Sequence, residues 1–205
     1  MRIQRIVESI LLVGLAIVLV FGCEHANVKV ERKAVDETID LSGKWNDTDS
    51  RLVSEEMIAD ALNRPWLGRY RTAKGKNPVV IVGTVRNRSD EHINVRTFVK
   101  DLERALINSG EVAFVASAEE RGEIREERQE QAAHSSEATV KESGQEIGAD
   151  FMLQGSINTI SDRLEGKEVR FYQVNLELVD IQSHQKVWIG DKKIKKYIER
   201  RRYNP

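Results

Sequence analysis

Residues suited to catalysis are few and scattered in this chain of 205 residues. The four histidines have no metal-ligand spacing, and the sequence contains no nucleophile elbow, phosphate-binding loop or HExxH motif. They are His25, His92, His134 and His184. The densest run of carboxylates, Glu119–Glu130, falls on a predicted solvated helix, where burial is too slight to raise a carboxyl pKa for acid catalysis. The sequence therefore predicts a protein that is not an enzyme and that needs neither a cofactor nor a metal.

The composition indicates which kinds of partner this protein could bind. Hydrophobic residues make up 40% of the chain and charged residues 32%, which is typical of a soluble globular domain. The formal net charge of −1 lacks the basic excess of a nucleic-acid binder, so we expect no nucleic-acid partner. The tryptophans, Trp45, Trp66 and Trp188, are interpreted as core or rim packing rather than as a sugar-binding platform. A peptidoglycan-binding module stays open as an alternative.

The only cysteine, Cys23, directly follows an apolar leader. The run Ile10–Phe21 has 12 residues, too few to span a membrane comfortably, and residues 1–22 are typical of a signal peptide that is removed. A cysteine behind a small residue at this point is typical of a bacterial lipoprotein, although Phe21 is larger than usual for the position. We expect Cys23 to carry lipid, and Glu24 in place of aspartate favours the outer membrane. The alternative is a plain secretory leader with a free thiol.

The mature chain divides into three predicted parts. Residues 23–40 are charged and lack a clear period, which indicates a short tether. Even fully extended, this tether reaches only about 60 Å. Residues 41–198 form the predicted globular domain, and residues 199–205 a basic tail. The lysines and arginines from Lys192 onward are interpreted as a solvated end, with contact to anionic lipid or to the partner as the alternative.

Hydrophobic periodicity in the first half of the domain predicts a βαβ unit behind an N-terminal helix. The predicted elements are a helix from after Asp49 to Pro65, a strand over Val79–Val85, a helix from Val95 to Leu106 that Gly110 ends, and a strand over Glu111–Ala116. The first helix buries one apolar face, formed by Leu52, Val53, Met57, Ile58, Ala61 and Leu62. The two strands of the βαβ unit should be parallel, with a right-handed connection.

The second half of the domain predicts two further helices and an antiparallel meander. Ser117 and Glu120 form a capping box at the start of a charged helix, and a second helix is expected over Glu137–Ile147. Apolar residues then alternate in three runs, around Leu153, Val174 and Trp188. The predicted fold class is therefore mixed α/β (α+β), with a four- or five-stranded mixed sheet flanked by helices.

Five sequence runs resemble the LpoB family, in the same order, and the resemblance extends from about Asp40 to Ile198. The runs are Leu41–Ser50 (LSGKWNDTDS), Val79–Ile93 (VVIVGTVRNRSDEHI), Gly148–Gly155 (GADFMLQG), Tyr172–Asp180 (YQVNLELVD) and Val187–Gly190 (VWIG). The resemblance implies a domain similar to the N-terminal domain of TolB. It also implies an outer-membrane lipoprotein, on the periplasmic face, that binds and activates a class A penicillin-binding protein and so regulates cell-wall synthesis. We expect a monomer.

The tether differs from the pattern of the family, whose enteric members carry a long, proline-rich segment that crosses the periplasm. About 17 residues stand in its place here. Three explanations stay open: a narrower envelope, retention in the inner membrane, or another partner. The alternative function is an envelope assembly lipoprotein, or a peptidoglycan-binding module without synthase activation.

The charged helix from Ala118 to about Ala133 is the most specific candidate for a partner-binding element. On a helical wheel Arg121, Arg125 and Arg128 form one stripe, and glutamates form a stripe on the opposite side. Every charged pair at spacing three or four between residues 119 and 130 is like-signed, which destabilises an isolated helix. We therefore expect the arginine stripe to be neutralised elsewhere, either by another part of this domain or by a carboxylate surface of the partner.

Overall fold

The computed structural model describes residues 29–34, 36–134 and 146–200. The predicted leader, Cys23 and most of the predicted helix over Glu137–Ile147 lie outside the described residues. Residues 29–34, 36 and 37 belong to a separate short unit and contain no helix or strand. A compact unit begins at Thr38. Among all described residues, no helix combines the length and the apolar character needed to cross a membrane.

The described part of the compact unit contains four helices and five strands. In chain order they are α1 (Asp47–Leu62), α2 (Pro65–Lys74), β1 (Val79–Arg88), α3 (Val95–Ser109), β2 (Ala113–Phe114), α4 (Ala118–His134), β3 (Phe151–Leu164), β4 (Lys167–Asp180) and β5 (Lys186–Glu199). The mixed α/β fold class is confirmed.

Helix boundaries follow from local capping. α1 begins earlier than predicted, because Asn46 and Asp49 form a reciprocal capping box, with both hydrogen bonds at 3.0 Å. α2 was not predicted; it starts with Pro65 at its first position, where the N–H that proline lacks would have no partner within the helix. Gly110 ends α3 with a φ of 66°, as predicted, since glycine adopts this left-handed conformation without strain.

The strand order in the sheet is β2-β1-β3-β4-β5. β1 pairs in parallel with β2 on one side and with β3 on the other, whereas β3, β4 and β5 form an antiparallel meander. The predicted βαβ unit and meander are both confirmed. β2 is only two residues long, shorter than predicted, and β5 continues to Glu199, well past the predicted run that ends at Gly190. The lysines interpreted as a solvated end therefore lie on a strand.

The core lies between one face of the sheet and helices α1 to α3. The predicted alternation is confirmed by β4, where Tyr172, Val174, Leu176 and Leu178 are all buried. Opposite them, α3 contributes Phe98, Leu102 and Leu106, and burial of each such side chain contributes about 1.5–3 kcal/mol. Trp66 and Trp188 are buried and donate hydrogen bonds to Ala61 and Asp60. One assignment was wrong: Leu52 is 49% exposed, because the helix face that it occupies lies beside the buried stripe.

Candidate partner-binding site

The histidines lie in separate parts of the fold. His92 is exposed in the loop before α3, His134 ends α4, and His184 lies in the turn between β4 and β5 with a φ of 60°. His25 falls outside the described residues. In the part of the chain that the structure describes, no three His, Cys, Asp or Glu side chains are grouped so that they could hold a metal ion.

The predicted arginine stripe on α4 lies near one carboxylate. Arg125 donates two hydrogen bonds to Glu146, at 2.8 and 2.9 Å, and Arg128 lies 4.0 Å from the same carboxylate. The hydrogen bonds from Arg125, with the nearby charges of Arg128 and Arg121, lower the pKa of Glu146. The Nε atom of Arg121 is buried and has no hydrogen-bond partner among the described residues. Among the described residues, the carboxylate of Glu146 thus lies near the three arginines. Their role in partner binding stays a prediction.

The first turn of α4 is fixed to α3 by a lysine. The predicted capping box is present: Ser117 donates its backbone N–H to Glu120 at 2.9 Å, and Glu120 returns a hydrogen bond at 3.3 Å. Lys100 on α3 lies 2.6 Å from Glu120 and 2.7 Å from Glu103. The hydrogen bond from Lys100, together with those from Ser117, lowers the pKa of Glu120 to about 2. The same two carboxylates raise the pKa of Lys100.

These charged residues border a groove of about 580 Å³ that lies beside the middle of β1, beyond the carboxyl end of the short parallel strand β2. Its walls come from β1, from the first turns of α3 and from the start of α4. They include Val82, Gly83, Thr84, Val85, Val95, Arg96, Val99, Lys100, Glu103, Ser117 and Glu120. An extra residue in β1 between Val82 and Val85 shifts the register with β3, and a bulge of this kind redirects side chains toward the groove.

The groove can accept part of another molecule. Four of its eleven lining residues are valines, and the charge of Lys100 is already shared between two carboxylates. Crevices beyond the carboxyl ends of parallel strands are the usual ligand sites of open α/β sheets. An apolar side chain from another molecule would fit this groove.

A buried charged cluster on β4 and the loop after β1 was not predicted from the sequence. Arg170 on β4 forms ion pairs with Glu91 and Glu168, and all three side chains are at most 7% exposed. Glu91 also accepts hydrogen bonds from the Tyr172 hydroxyl at 2.7 Å and from the Trp45 backbone N–H at 3.2 Å. Burial raises the pKa of Tyr172 to about 12. Strand alternation could have located Glu168 and Arg170, because both share the face of Tyr172.

The described residues thus form a mixed α/β domain with a groove beside paired charges, which is a surface that can bind another molecule. The chain belongs to the LpoB family: the family model described as "Peptidoglycan-synthase activator LpoB" matches residues 49–194. This match runs from the first turn of α1 to the middle of β5. The family consists of activators of peptidoglycan synthesis, which are envelope lipoproteins and not themselves catalysts.

Solved structures that are similar to this chain include LpoB domains from two bacteria and a lipoprotein from a third. The LpoB C-terminal domain from Salmonella enterica is 19% identical, with 64% of this chain and 94% of that chain covered and a TM-score of 0.36. The corresponding domain from Escherichia coli is 17% identical, with the same coverage and a TM-score of 0.37. A lipoprotein from Neisseria meningitidis is 16% identical, with 58% and 83% covered and a TM-score of 0.39. Comparison with curated protein sequences gave no match.

Proposed function

We propose that this protein is an outer-membrane lipoprotein, anchored by lipid on Cys23, that binds and activates a class A penicillin-binding protein. In this function it regulates cell-wall synthesis by contact with the synthase and performs no chemistry of its own. The observation that carries the proposal is the family match over residues 49–194, which includes the whole of β1 to β4 and the helices that pack on them. The groove beside α3 and α4 is consistent with a binding role.

Activation is tested by measuring glycan-strand polymerisation. The full-length protein, purified in detergent, is added to a purified class A synthase from the same organism, and the rate is followed with lipid-linked substrate. We expect the rate to rise with protein concentration and to saturate, while the protein alone polymerises nothing. The synthase alone gives the baseline rate, and a rate that stays at this baseline at every protein concentration would refute activation.

The anchor is tested separately with Cys23→Ser. Labelled palmitate should enter the parent protein and not the variant, since Cys23 is the only cysteine in the chain. The parent should fractionate with outer membranes, and the variant should be released. A variant that retains both the label and the membrane fractionation would overturn the lipid anchor without affecting the activation proposal.

A further inference from the structure

The sheet has a second face, opposite the core, and part of it is an exposed apolar patch. Alternation along the meander places on this face the outward side chains of β3, β4 and β5. Ile160, Leu164 and Tyr197 are 69%, 74% and 60% exposed, and Val169 and Phe171 are half-buried. The register places Phe171 opposite Ile160 and Val169 opposite Tyr197. These five residues, here called the outer patch, therefore lie together across three neighbouring strands.

A polar band with cations at both ends borders the outer patch. One row across the sheet runs from Arg88 on β1 through Asn158 and Gln173 to Lys193 on β5, which lies 3.0 Å from Asp191. Beside it, Arg86 lies next to Ser156 and borders a shallow depression of about 190 Å³ that Arg88 also lines. Arg86, Arg88 and Lys195 form no ion pair with any described residue, in contrast to Lys100 and Arg125 at the groove side.

We propose that the outer patch and its cationic border are the surface that holds the synthase, an inference that rests on the proposed function. The contacting surface of the synthase would carry an apolar centre and carboxylates beside it. Arg86, Arg88 and Lys195 supply the complementary charge, and the outward amides can accept and donate hydrogen bonds at the border. Asp162 lies among the apolar residues, opposite Val169, which disfavours an anionic membrane as the occupant.

The size of this face favours a second protein over a permanent dimer of the same chain. From Ser156 to Leu164 the strand is about 27 Å long, and the distance across four strands is about 14 Å. The area is roughly 400 Å², about half of what one partner buries in a stable complex. A surface of this size suits a reversible contact with a regulated enzyme.

The proposal is tested with a patch variant that combines Ile160→Thr, Leu164→Thr and Tyr197→Thr. Threonine is chosen because it is polar and is common in β-strands. The matched control removes equally exposed apolar side chains elsewhere, through Leu52→Ser and Ile107→Ser on α1 and α3, where they are 49% and 52% exposed. With the full-length protein in detergent, we expect the patch variant to lose at least about tenfold in synthase affinity and to lose stimulation, with the control unchanged. Circular dichroism melts check that each variant is folded.

A charge variant keeps the test independent of folding. It carries Arg86→Gln, Arg88→Gln and Lys195→Gln, all at exposed positions. We expect slower association with the synthase and a weaker dependence on salt, because exposed charges are screened by salt and mainly control the association rate.

Three outcomes would overturn the outer patch as the docking surface. In the first, the patch and charge variants bind the synthase as tightly as the parent protein does. In the second, the parent protein is a dimer and the patch variant is a monomer. In the third, the parent protein binds anionic vesicles and the patch variant does not. A parent protein that neither binds nor stimulates any class A synthase would instead refute the proposed function, and the inference with it.

Discussion

Gly155 on β3 lies where the sheet has no space for a side chain. A Cβ atom there would lie 2.0 Å from the backbone oxygen of Asn175 and 2.7 Å from Leu176. Because a strand backbone cannot move aside as a flexible side chain can, we expect Gly155→Ala to lower the free energy of unfolding by about 1–3 kcal/mol in urea titrations. Gly122 on α4 has no neighbouring atom within 4 Å, so Gly122→Ala is the matched control. It should stabilise by about 0.5–1 kcal/mol. Equal effects of the two substitutions would contradict the close approach at Gly155.

Glu120 provides a residue-scale prediction on pH. Its pKa is lowered to about 2, first by the hydrogen bond from Lys100 and then by those from Ser117. Because the folded pKa lies below the unfolded value near 4.5, this contribution to stability is present above about pH 4.5 and is lost as the pH falls toward 2. Carboxyl NMR titration should place the midpoint of Glu120 near pH 2, and Lys100→Met should raise it. An unshifted midpoint in the Lys100→Met protein would show that the lysine does not engage Glu120.

At the scale of elements, α4 depends on charges outside its own turns. Arg125 pairs with Glu146, which lies just before β3. Within the helix, by contrast, the charged side chains three or four residues apart between residues 119 and 130 carry the same sign. We expect combined replacement of Arg121, Arg125 and Arg128 by glutamine to lower the melting temperature. Glu146→Gln is the matched control, because it removes the same pairing and leaves the arginines in place.

Synthase binding by the same α4 variants tests the partner role predicted for the arginine stripe. If the arginines act only within the domain, the triple variant and Glu146→Gln should bind the synthase as well as the parent does. Weaker binding by the triple variant alone, at an unchanged melting temperature, would assign the stripe to an interface with carboxylates.

At the scale of the whole molecule, Arg170 connects segments that are distant along the chain. Through Glu91 it joins β4 to the loop between β1 and α3, and Glu91 in turn binds the backbone before α1 at Trp45. Arg170→Met leaves Glu91 buried without its cation and, among the described residues, it leaves Glu168 with only the exposed side chains of Arg163 and Arg200. We expect a loss of about 3–5 kcal/mol in the free energy of unfolding, measured by urea titration.

A second arginine supplies the control for this cluster. Arg163 lies 2.9 Å from Glu168 but is 58% exposed, so Arg163→Met should cost no more than about 1 kcal/mol. A similar cost for both substitutions would show that the buried position of Arg170 adds nothing to its effect on stability.

Local patterns in the sequence determined most of the elements. The period of α3, the glycine that ends it, the capping box of α4 and the alternation of β4 each depend on residues within a few positions of one another. Such patterns show which side chains share a face, and they were sufficient for the mixed α/β class, the βαβ unit and the meander. The five quoted sequence runs also identified the family.

Only the tertiary structure decided which faces are covered. Lys192 and Lys196, assigned from sequence to a solvated end, point inward from β5 and pair with Glu56 and Asp49 on α1. The burial of Arg170 and the exposure of the outer patch likewise depend on where the helices end over the sheet. Periodicity cannot determine which strand face the helices cover. The same alternating pattern occurs on a face that packs against helices and on a face that is exposed to solvent.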